Sequence, residues 1–201
     1  MLFLKIIVAQ ITFPHAERNT SIYELNDPAV LLVNKEHPSK PVTLFDYVNL
    51  SQVHLPVGLH ELHEEILKYQ LWHVYYENNA KKFYLELEYD KNVTTEVEGN
   101  LLQARKGKSQ PEMRARTLDS GKYFEIVHDE MCLTVDPAKS EVRDSYPLRF
   151  KPCTKSENQS FAFVSKMQAV CKLGNELCPK DEDDLFAAEA VVLKRLRQFI
   201  S

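Results

Sequence analysis

The sequence predicts an all-β fold followed by one α-helix, on three observations. First, Gly121 to Lys166 holds four short apolar runs, Tyr123–Val127, Met131–Val135, Leu148–Pro152 and Phe161–Val164, parted by polar turns. Each is strand-length and rich in β-branched or aromatic residues. Second, glutamines at 70, 110 and 159 each precede an expected fourth strand, the one at 110 in degenerate form, at intervals of 40 and 49 positions. Third, Phe83 follows Gln70 by 13 positions and Tyr123 follows Gln110 by 13, an internal echo typical of repeated units.

The last of these units carries a recognisable order. Cys132-Leu133-Thr134-Val135 is followed by Leu148-Arg149-Phe150-Lys151-Pro152-Cys153 and then by Asn158-Gln159-Ser160-Phe161. This order resembles one repeat of the R-type (ricin B chain-like) lectins, and the match covers about a third of the chain. The resemblance implies a β-trefoil of three four-strand repeats. It also implies a Cys132–Cys153 disulfide inside the repeat, which leaves Cys171 with Cys178.

Read as three units, the chain divides at about 19–77, 78–118 and 119–166. The first has expected strands at Ile22–Leu25, Val30–Val33, Val42–Asp46 and Leu71–Tyr76, with Pro- and Asn-rich turns between them. Val48–Tyr69 reads as an insertion, and apolar residues at 59, 62, 66 and 67 predict a short amphipathic helix over Gly58–Lys68. The second unit has expected strands at Lys82–Tyr89, Asn92–Val97, Leu101–Arg105 and Met113–Thr117. There Phe83, Leu85 and Leu87 alternate with Tyr84, Glu86 and Glu88, which predicts one buried and one wet face. After the third unit, residues 167–201 form a connector holding Cys171 and Cys178, then a helix. That helix has Asp181–Asp184 in its first turn, Lys194, Arg195 and Arg197 towards its end, and an apolar stripe from Leu185 to Phe199. It packs on the domain's own surface or binds a partner.

Bulk composition narrows the function. With 44% apolar and 27% charged residues, the chain can bury one ordinary core. A net charge of −4 favours neither nucleic acid nor an anionic membrane. Five glycines and no phosphate-cradling glycine motif argue against a nucleotide cofactor. No cofactor is expected. Residues 1–16 read as a signal peptide or as a first buried strand, and the stretch is too short to span a bilayer. Four cysteines allow three pairings or a zinc tetrathiolate, but there is no CxxC knuckle for a metal. Paired cysteines and sequons at Asn19, Asn49, Asn92 and Asn158 favour an extracellular protein. His54, His60 and His63 lie among glutamates, yet their spacing is not HExxH; a solvated acidic helix is the simpler reading. No nucleophile arrangement is present, so a non-enzyme is expected.

The resemblance also sets expectations for a sugar site. In R-type repeats an Asp after Cys-Leu accepts bonds from sugar hydroxyls, an aromatic two positions before the second Cys stacks on the ring, and Asn-Gln adds polar contacts. The third unit keeps Asn158 and Gln159 but has Thr134 for the Asp and Lys151 for the aromatic. The first unit offers Phe45 at the stacking position without a carboxylate, and the second places Thr94 near the Asp position and Gln103 or Ala104 near the stacking one. Degenerate sugar sites are therefore expected, on a secreted module for a glycan or glycoprotein surface. The alternative is a coat or matrix component that uses the same scaffold without sugar. A third reading is a protease inhibitor presenting the insertion 48–69.

Overall fold

The computed structural model describes residues 22–24, 29–47, 52–77, 81–107, 109–118, 122–141 and 143–166. The expected signal peptide, Cys171, Cys178 and the C-terminal helix lie outside these residues. The strands are β1 (Ile22–Glu24), β2 (Val30–Asn34), β3 (Val42–Leu44), β4 (His54–Leu59), β5 (Trp72–Glu77), β6 (Lys82–Leu87), β7 (Val93–Glu98), β8 (Leu101–Lys106), β9 (Arg114–Thr117), β10 (Phe124–His128), β11 (Met131–Val135), β12 (Tyr146–Pro152) and β13 (Phe161–Ser165). Short 3₁₀ turns, Glu64–Tyr69 and Glu157–Gln159, precede β5 and β13.

Pairing sorts β2 to β13 into three four-strand units. The closing strand of each unit pairs antiparallel with the opening strand of the next: β5 with β6, β9 with β10, and β13 with β2. Opening and closing strands of one unit meet at single positions, Val30 opposite Trp72, Phe83 opposite Met113, and Phe124 opposite Phe161. The two middle strands of each unit form hairpins, β3–β4, β7–β8 and β11–β12. Their second members, β4, β8 and β12, pair with one another and close a triangle around a common axis.

That closure explains the core. Inward side chains from every unit, among them Leu32, Leu59, Trp72, Leu85, Leu102, Ile126, Leu133, Phe150 and Phe161, form one apolar cluster. Trp72 is fully buried, and its indole N–H donates to Val42 O at 2.9 Å, which satisfies its polar atom inside the core. A smaller cluster on the other face of β2 joins Leu31, Val33, Leu71 and Ala162 beneath Leu62 and Leu67. Both faces of β2 are thus covered, which is why its sequence is a continuous apolar run rather than an alternation.

Three expectations need correction. The first unit opens at β2, not at Ile22–Leu25; β1 instead lies along β5 in the register Ile22↔Glu77. The helix expected over Gly58–Lys68 is a strand up to Leu59 and a 3₁₀ turn from Glu64, because Gly58 is drawn into the β4–β12 pairing. The wet face of β6 is not wet: Tyr84 and Glu86 are buried. Tyr75 on β5 stacks on Tyr84 at 5.2 Å and donates its hydroxyl to the Glu86 carboxylate at 3.0 Å, covering that face from the neighbouring strand.

Candidate functional site

The strand registers fix which residues are equivalent in the three units. Thr43 on β3 faces Gly58, Thr94 on β7 faces Arg105, and Thr134 on β11 faces Arg149. These threonines occupy the position where the lectin pattern carries its sugar-binding Asp. All three are buried, at 1%, 0% and 5% exposure.

Each hydroxyl is engaged within its own unit. Gln159 Nε2 donates to Thr134 Oγ1 and to Pro152 O, both at 2.9 Å, while its Oε1 accepts from Thr154 N at 2.7 Å and Thr154 Oγ1 at 3.0 Å. Gln70 repeats the pattern: Nε2 donates to Thr43 Oγ1 at 3.0 Å and Glu61 O at 2.9 Å, and Oε1 accepts from His63 N at 3.4 Å. Thr134 and Thr43 in turn donate to the carbonyl two residues back, Cys132 O and Pro41 O. A buried amide with donors and acceptor all matched ties the second strand of the unit to the turn before the fourth.

The second unit makes the tie differently. Taken from the strand pairing, the residue equivalent to Gln70 and Gln159 is Pro111, two before Met113. Pro111 has no side-chain amide, and Gln110 is exposed. Ser109 substitutes: its N–H donates to Thr94 Oγ1 at 3.0 Å, its hydroxyl lies 2.8 Å from the same oxygen, and Thr94 donates to Gly107 O at 2.9 Å. The glutamine anchor at 110 was thus displaced by one residue, and so was Tyr123 relative to Phe124, which preserved the 13-residue offset.

The carboxylates of the hairpins sit two residues past these threonines. Asp136 is 3.0 Å from Arg149 Nε and 3.7 Å from Lys151 Nζ; Glu96 is 3.3 Å from Arg105 Nη1 and 2.6 Å from His54 Nδ1. Phe45 takes this place in the first unit, so it is not at the stacking position. The residue equivalent to Lys151 is His60, whose ring meets Phe45 edge-on at 5.8 Å. Asn158 Oδ1 accepts from Ser156 Oγ at 2.6 Å within the 3₁₀ turn. Thr134, Gln159, Lys151 and Asn158 therefore share one unit, with Lys151 standing where the lectin pattern has its stacking aromatic. The disulfide Cys132–Cys153 bridges that unit with Cα atoms 4.9 Å apart.

Phe45 belongs to a different site. A cleft of about 230 Å³ opens where β4, β8 and β12 converge, lined by Phe45, Leu101, Gln103, Ser140, Arg143 and Ser145, among others. All three units contribute. Arg143 donates from Nε and Nη2 to Asp46 Oδ2, at 3.1 and 2.8 Å, which fixes its guanidinium at the rim. Gln103 Oε1 is buried, with no hydrogen-bond partner among the described residues. The cleft thus combines an aromatic side chain, a glutamine side chain, a guanidinium and hydroxyls, the ingredients of a small polar-ligand site. Sequence reasoning did not find this site, because its members are distant along the chain. The threonine ties could have been found: Thr43 precedes Gln70 by 27 positions and Thr134 precedes Gln159 by 25. Among the described residues no His, Cys, Asp and Glu cluster could hold a metal, and no helix is long and apolar enough to cross a membrane.

No protein-family model matches this sequence, and no curated protein is similar to it. Solved structures are. A designed threefold-symmetric protein, ThreeFoil, superposes with a TM-score of 0.53 and 14% identity over 73% of this chain and 99% of its own. The ricin B-like lectin of Macrolepiota procera, solved in complex with lactose, gives 0.52 and 13% over 69% and 95%. The fold is a β-trefoil. A mosquitocidal holotoxin matches with a TM-score of 0.59 and 10% identity over 71% of this chain, which spans 18% of the toxin. At such identities the likeness is one of trefoil architecture, on which unrelated functions are built.

Proposed function

We propose that this trefoil is a secreted carbohydrate-binding module whose recognition site is the axial cleft rather than the individual repeats. The observation that carries the reading is the meeting of Phe45, Gln103 and the anchored Arg143 guanidinium in one cleft to which all three units contribute. A sugar presents an apolar ring face and directional hydroxyls, and these groups answer both. The lactose complex of the Macrolepiota lectin supports the ligand class. The Cys132–Cys153 disulfide supports an oxidising compartment. Binding, not catalysis, is the activity proposed.

One observation favours the scaffold reading instead: in every repeat the threonine at the lectin Asp position is bonded internally. A glycan array separates the two. A carbohydrate module is retained on defined glycans, released by free sugar, and loses at least tenfold in affinity in Phe45→Ala and Gln103→Ala. Retention on no glycan, with the protein folded, rejects the proposal in favour of the scaffold.

A further inference from the structure

A second surface, on the side of the first and second units, carries three tyrosines in mutual contact. Tyr47 lies 5.4 Å from Tyr69 and 5.6 Å from Tyr89, and Tyr69 lies 5.7 Å from Tyr89, ring centre to ring centre. The Tyr47 hydroxyl donates to Asp90 Oδ2 at 2.8 Å, and the Asn92 N–H caps Asp90 Oδ1, so the carboxylate is turned inward to its own turn. The rings are thereby held as a rigid platform. Lys68 Nζ stands 4.8 Å from the Tyr89 ring centre and 5.0 Å from that of Tyr69; Lys106 Nζ stands 5.8 Å from Tyr47. Tyr89, 54% exposed, and Val53, 58% exposed, are the large apolar side chains most open to solvent among the described residues. Val53 adjoins His54, which pairs with Arg105, the chain neighbour of Lys106.

We propose that this platform binds a carboxylated sugar residue, its ring stacked on Tyr89 and its carboxylate held by the Lys68 ammonium. The charge points to an anion, since two ammonium groups, Lys68 and Lys106, flank the rings against the one carboxylate of Asp90, whose oxygens face the Tyr47 phenol and a backbone amide. The size points to a sugar. Two open apolar side chains fall far short of the roughly 800 Å² per partner that a stable protein interface buries. Stacking gives affinity through the ring, and the ammonium gives preference for acidic over neutral sugars.

The test is titration of sialyllactose and of lactose into the Phe45→Ala protein, so that the axial cleft does not contribute, followed by amide chemical shifts. Sialyllactose is expected to bind at least tenfold tighter than lactose, with shifts at Tyr89 and Lys68 and a several-fold loss between low and high salt. Tyr89→Ala and Lys68→Ala, both at exposed positions, are expected to lose at least tenfold while thermal unfolding falls by no more than a few degrees. Equal binding of the two sugars, or undiminished binding by both variants, overturns the proposal. Because Phe45 is already removed, either result leaves the reading of the cleft unaffected.

Discussion

Replacing Gln159 by Ala tests whether the threonine ties hold the repeats. The Gln159 amide makes four polar contacts and is 2% exposed. After truncation, Thr154 and Pro152 are exposed and regain water. Thr134 keeps Cys132 O as acceptor for its hydroxyl but loses the amide donor, in a place water does not easily reach. One buried charge-neutral hydrogen bond and a small cavity together cost about 2–3 kcal/mol. Thr134→Val keeps the volume and removes both the acceptor of Gln159 Nε2 and the donor to Cys132 O, for about 1–2 kcal/mol. Because the two side chains touch, the double variant is expected to cost less than the sum, with a coupling of about 1 kcal/mol. Urea unfolding monitored by the fluorescence of Trp72 reads these values as midpoint shifts of about 1 M for Gln159→Ala, at a slope of roughly 2–3 kcal/mol/M. Gln110→Ala, in the repeat where Ser109 makes the tie, is expected to shift the midpoint hardly at all. Gln110→Ala as costly as Gln159→Ala, or additive behaviour of Thr134→Val with Gln159→Ala, refutes the reasoning.

Removing the Cys132–Cys153 bridge, which closes a loop across 21 positions, is expected to lower stability by about 3 kcal/mol, measured by unfolding with and without reductant. Gly58→Ala places a Cβ 2.8 Å from the backbone carbonyl oxygen of Tyr146, where β4 meets β12, and is expected to cost about 1–3 kcal/mol in the same assay. The Tyr47 phenol is pushed up to about 12, first by its hydrogen bond to Asp90 and then by burial. A folded value above the unfolded one of about 10 means its contribution is complete below pH 10 and is lost as pH rises from 10 to 12. Tyr47→Phe should remove that part of the alkaline decline, as read from thermal unfolding at stepped pH.

The third unit was readable in the sequence because its strands are short, apolar and bounded by turns, and because Cys132, Cys153 and Gln159 keep the lectin spacing. The first unit was readable in part: strands are expected at Val30–Val33, Val42–Asp46 and Leu71–Tyr76 and are found there as β2, β3 and β5. Their places in the unit were not, since β2 opens it rather than following Ile22–Leu25. Its third strand, His54–Leu59, includes a proline and a glycine and reads as loop, although Gly58 is there for a close backbone approach. Phe45 was singled out as an aromatic for sugar stacking; the register moves it from its own repeat to the axial cleft. Gln103, Ser140 and Arg143 could not be joined to it by spacing, since only the closure of β4, β8 and β12 brings them together.

Backbone amide mapping during titration with the glycan retained most strongly on the array measures directly where recognition resides. Shifts concentrated at Phe45, Gln103, Ser140 and Arg143, with Thr43, Thr94 and Thr134 unmoved, are the predicted result. Shifts centred on those threonines and on Gln159, with the cleft silent, would return sugar binding to the repeats and contradict the account.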